Sequence, residues 1–190
     1  MFLGRIETRF DERFVELACD LDAMQVRWAD QQEAIESTRK VMAKAPSQEN
    51  CAHYGRALQR GSEYLRVMGQ ADASMALKSA CLEVWTALER PKAIFLVELQ
   101  QVQLHLQLDQ PEHARVMAQA HLTRCTASDA LSSYLPFVYR ALGCAAGANH
   151  NWLAARHWFE QMLSQLSKGP LRDQAQGLLT HLDEVSRPYL

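Results

Sequence analysis

Glycine and proline are scarce in this 190-residue chain, eight and six of them, and nearly all stand alone. Collagen-like and low-complexity sequence is thereby excluded. Runs of Val, Ile and Thr alternating at period two are missing, so strands are not expected. No apolar run approaches the length of a membrane span, and Met1–Ile6 has no signal-peptide architecture. The five cysteines (Cys19, Cys51, Cys81, Cys125, Cys144) are odd in number, widely spaced and without a Cys-x-x-Cys pair. Reduced thiols in a cytoplasmic protein are the simplest account. Charge of one sign is lacking too: the net charge is −2 and the basic residues are scattered, which leaves no electrostatic footprint for nucleic acid.

Signatures of catalysis are also absent. There is no phosphate-cradling glycine loop, Gly-x-Ser-x-Gly elbow or His-Glu-x-x-His helix. His121 and Cys125 are one helical turn apart and His113 lies two turns before His121, so a metal site can be drawn from them. The simpler reading makes them polar-face or interhelical residues, and treats His150 and His157 as solvent-facing. Asp11/Glu12 and Asp20/Asp22 read as a solvated helix face. No enzyme activity, metal or cofactor is expected.

What is present is helix-forming sequence. Ala, Leu, Gln, Glu and Arg dominate and 48% of residues are hydrophobic, enough for one domain with a continuous core. Between Pro136 and Leu163 the chain reads Tyr139-x2-Leu142-Gly143-x2-Ala146, then Ala155-x3-Phe159-x2-Met162. Ala73, Ala114 and Ala155 stand 41 residues apart, followed four residues on by Leu77, Ala118 and Phe159 and eight on by Cys81, Leu122 and Leu163. Twelve residues before each alanine come Gly61, Val102 and Gly143, and the first helices open in phase at Tyr54, Phe95 and Pro136. Several columns agreeing at one period point to repeated helix hairpins, each unable to bury its apolar face alone.

The stretch 136–163 resembles the tetratricopeptide repeat family, in an extended variety with units longer than usual. The resemblance implies an all-α solenoid of antiparallel helix hairpins over 8–46, 47–90, 91–127 and 128–168, with a capping helix at 170–187, in a single domain spanning 1–190. Ser47 is placed to cap a helix after Pro46, and Pro91 and Pro111 suit first turns. Pro136 lies in a first turn if its helix starts at Ser132 or Ser133, and kinks the helix if it starts at Asp129. The first unit has two readings. Ala34-x3-Thr38-x2-Val41-Met42-x3-Pro46 matches the second helix of a hairpin whose first helix covers about 9–26, and this is slightly favoured. Against it, Phe14, Leu21, Trp28, Ile35 and Met42 are spaced by seven, as in one long helix packed along the array or on a second copy.

In this family the first helices line a concave surface. The resemblance places there Leu58, Leu65, Leu96, Leu99, Gln103, Leu106, Phe137 and Arg140. Only Arg140 is comparable to the family's carboxylate-gripping residues, so a charged clamp is not expected. The lining suits an apolar peptide or amphipathic helix. The leading expectation is a cytoplasmic adaptor or chaperone-like scaffold whose partner is another protein, with neither nucleic acid nor membrane involved. Alternatives are a sensory or self-assembling part of a regulatory system, a homodimer through Phe14, Leu21 and Trp28, and a cryptic enzyme.

Overall fold

The computed structural model describes residues 21–186, with side chains from Arg27 onward. Among the described residues it is all-helical, without strands. The helices are α1 (Leu21–Lys44), α2 (Gln48–Val67), α3 (Ala71–Ala87), α4 (Pro91–Gln107), α5 (Pro111–Thr126), α6 (Asp129–Ser132), α7 (Leu135–Ala148), α8 (Trp152–Ser164) and α9 (Pro170–Ser186). Where the sequence reads one domain over 1–190, the described residues divide into two compact units, 21–104 and 105–186. No described helix is long and apolar enough to cross a membrane.

In the 21–104 unit, α1 runs unbroken through residues 27–33, where the hairpin reading of 8–46 needs its turn. The slightly favoured hairpin, with its first helix ending near Val26, is therefore corrected. No glycine or proline interrupts this stretch, and its apolar seam has α2 to pack on. Trp28 and Ile35 meet α2 at Gly61, where an added Cβ would lie 2.7 Å from Ile35 Cδ1 and 3.4 Å from Trp28 Cζ3. Gln31 Nε2 donates to the Ala57 carbonyl at 2.9 Å. After Pro46, Ser47 caps α2, its hydroxyl accepting from the Asn50 N–H at 3.1 Å. The core is built on Leu58, Cys81, Trp85 and Val97, with Ile35, Tyr54, Leu77 and Ile94 packed around it.

One turn recurs along the chain. A residue with positive φ ends the helix (Gly69 at 75°, Glu89 at 53°, Asp109 at 57°, His150 at 56°). The next N–H then reaches back five residues: Gln70 to Leu65, Arg90 to Trp85, Gln110 to His105 and Asn151 to Ala146, at 2.8–3.0 Å. This is the Schellman arrangement, which satisfies carbonyls that a helix end leaves open. Glycine takes the left-handed conformation without cost at position 69, whereas Glu89 adopts it against its Cβ.

The turns at Gly69, Asp109 and His150 stand 40 and then 41 residues apart, one residue off the even spacing of 41 read from the alanines. Ser74, Ala114 and Ala155 are each fully buried, whereas Ala73 is exposed. Ala73 thus leaves the alanine ladder, and Ser74 stands in its place. Ser62, Val102 and Gly143 share the crossing column on the first helices, all buried.

In the 105–186 unit, α5 packs on α7, α7 on α8 and α8 on α9. Pro136 is accommodated by a break. The short turn α6 stops at Ser132, and α7 restarts at Leu135 with the proline in its first turn, where its missing N–H costs nothing. At the α7–α8 crossing, a Cβ on Gly143 would lie 2.3 Å from Phe159 Cε1. Leu178, Leu179 and Leu182 of α9 are buried, and Arg156 of α8 pairs with Asp183 of α9.

Candidate functional site: a buried lysine network

The expected groove residues are not a continuous open lining. Leu58, Leu65, Leu99 and Leu106 are buried, at 1–8% exposure, and serve as core. Leu96, Gln103 and Arg140 are half-buried, and Phe137 alone is exposed, at 41%. Of the residues expected to self-associate, Phe14 and the Leu21 side chain lie outside the described part, and Trp28 is engaged on Gly61 within its own chain.

In the 21–104 unit the structure instead gathers polar groups from three helices. Lys78 of α3 is fully buried, and its ammonium donates to Ser62 Oγ (2.9 Å), Glu63 Oε1 (2.6 Å) and Gln100 Oε1 (2.9 Å). Three donors meet three acceptors, so the ammonium is saturated. Arg66 Nε donates to the other Glu63 oxygen at 2.8 Å. The Ser62 hydroxyl donates to the Gln59 carbonyl at 2.7 Å, and Ser74 Oγ donates to the Ser62 carbonyl at 2.6 Å. Gln59 Nε2 donates to Gln100 Oε1 at 3.4 Å, tying α2 to α4.

Burial works to raise the Glu63 pKa, but the charges of Lys78 and Arg66 and their hydrogen bonds outweigh it, and the carboxyl is held below its ordinary value. Burial pulls the Lys78 ammonium down from its ordinary value, against the opposing pull of Glu63. Cys81, one turn after Lys78, donates its thiol to the Gly55 carbonyl at 3.3 Å, and burial pushes its pKa up to about 11. That thiol stays protonated and is a core residue rather than a nucleophile.

Periodicity concealed this network. With the first copy read one residue out of phase, Lys78 fell outside the ladder. In the true phase it stands in the column of Ala118 and Phe159, both buried. A lysine in a buried column is the signal that points to the site.

The histidines do not converge. His121 and Cys125 are buried one turn apart, while His113 is exposed and stacks on His105 with centroids 5.8 Å apart. Among the described residues no three His, Cys, Asp or Glu side chains are grouped to hold a metal ion. The four described cysteines are free thiols.

The arrangement orients two amides and a carboxylate across α2, α3 and α4. Neither a protein-family profile, nor a curated protein, nor a solved structure matches the chain, and its functional reading rests on the geometry described above.

Proposed function

We propose that this chain is a non-enzymatic helical-repeat scaffold of the tetratricopeptide type, an adaptor or chaperone-like module that holds a segment of another protein against its first helices. The observation that carries this reading is the recurrent turn, whose spacing of 40 and 41 residues coincides with the columns of buried crossing residues. Chains built by repeating one hairpin present equivalent helix faces in series, a geometry suited to an elongated partner. The helix α9 takes the part of a cap, with Ala175, Leu178 and Leu182 inward and Asp173, Gln176 and Thr180 outward.

The contact face differs from the apolar groove expected from sequence. Those leucines are core, so the face left to a partner within the 21–104 unit is the half-buried row of Gln59, Glu63, Gln100 and Gln103, with Leu96 as an apolar anchor. Affinity capture from the native cell, followed by reconstitution with the purified captured protein, tests the reading. A stoichiometric complex weakened at least tenfold by Gln103→Glu with Leu96→Glu is expected. A complex indifferent to both changes, or a full-length chain that captures nothing, would sink it.

A further inference from the structure

We infer that Gln59 and Gln100 form an amide pair that receives the backbone of one residue of an extended segment, its N–H on Gln59 Oε1 and its C=O on Gln100 Nε2. The inference rests on the scaffold reading and supplies the chemistry of the contact.

An ammonium carries only donors, so the Gln100 atom facing Lys78 at 2.9 Å must be the oxygen. That oxygen also receives Gln59 at 3.4 Å, so the Gln59 atom facing it must be the nitrogen. Both amides are thereby locked in one sense by a lysine that is itself fully buried and saturated. Turning either one over would set an N–H against the ammonium or an oxygen against an oxygen.

The atoms left over are a donor, Gln100 Nε2, and an acceptor, Gln59 Oε1, on neighbouring helices. Neither is hydrogen-bonded to a described residue, and neither is sealed from solvent. An adjacent donor and acceptor complement the C=O and N–H of a peptide backbone. An extended chain offers both groups, whereas a helix consumes its own in internal bonds. The pair therefore selects an extended segment over an amphipathic helix. Its rotamers are fixed before binding, so little side-chain freedom remains to be lost.

The test uses the full chain and peptides of about twelve residues drawn from a random display library. The tightest binder is resynthesised with each backbone N–H methylated in turn. Methylation at one position should weaken binding to the wild type about tenfold, the loss of one hydrogen bond. Gln100→Glu keeps an acceptor for Lys78 but offers no donor, and should weaken the parent peptide about tenfold with the urea midpoint unchanged. In Gln59→Leu the sensitive methyl position should fall silent. The methylation scan on the wild type stands whether or not either variant folds. Peptides that bind with no sensitive position, or equally to Gln100→Glu, would overturn the amide pair and leave the scaffold reading standing. Failure of the wild type to select any peptide would overturn both.

Discussion

At the scale of the residue, the chain commits a charge to its interior at Lys78. Isolated burial of an ammonium is prohibitive, and the site is tolerable because Glu63, Ser62 and Gln100 occupy every donor direction. Removing one partner of such a pair strands the other. Lys78→Met and Glu63→Leu should each lower stability by about 3–5 kcal/mol, and the two together should cost clearly less than their sum, as read from urea unfolding at pH 7. The Glu63 carboxyl has a lower pKa folded than unfolded, so the folded state binds fewer protons in the acid window. Its contribution is present above the ordinary carboxylate pKa of about 4.3 and is lost as pH falls through the folded value. A urea midpoint followed from pH 6 down to pH 2 should drop less steeply in Glu63→Gln than in the wild type. Residue type alone did not mark these groups, since the sequence is rich in glutamine, and glutamate and lysine usually lie on a solvated helix face. What distinguishes Lys78, Ser62 and Ser74 is that they stand at fully buried positions.

At the scale of the element, helix ends and crossings carry the specificity. Ser47, Pro91 and Pro111 mark helix starts legibly because capping and fixed φ are local properties. The left-handed residue at 89 was illegible because Glu gives no turn signal of its own, and lone Asp109 and His150 give only a weak one. Their conformation is imposed by the helices on either side. Replacing Glu89 by glycine should therefore raise stability by up to about 1 kcal/mol, and Asp109→Gly by less, since Asp tolerates this region better; thermal melts would rank them. The two glycines of α7 should respond in opposite directions. A methyl at Gly143 collides with the buried Phe159 ring, so Gly143→Ala should cost about 1–3 kcal/mol, and most of that cost should vanish in a Phe159→Leu background. At Gly147 the nearest atom to an added Cβ is 3.9 Å away, so alanine should add about 0.5–1 kcal/mol through helix propensity. Calorimetry on the two variants separates a crossing glycine from an incidental one.

At the scale of the whole molecule, helical class and the position of most helices were readable from composition and periodicity; the long run of α1 was legible only as the less favoured of two readings, and the division at 104/105 was not legible. Periodicity reports that a face is buried, but not whether its cover is a neighbouring hairpin, a lone helix or a second copy. Trp28 and Ile35 show the difference, since their spacing fitted a two-chain seam and the structure sets them on Gly61. The same gap moved Leu58, Leu65, Leu99 and Leu106 from an expected groove into the core. One feature reaches beyond stability. Lys78 is buried where Ala118 and Phe159 stand 40 and 81 residues on, so α3 cannot be exchanged for α5 or α8 without stranding Glu63. A chimera with residues 111–126 grafted over 71–86 would keep every turn and still bury Glu63 without its lysine. We expect it to unfold at lower urea than the reciprocal graft of alanine at Lys78 combined with Glu63→Leu. The lysine thus matches α3 to the helices before and after it, since Ser62 and Glu63 of α2 and Gln100 of α4 must all be present for its charge to be met.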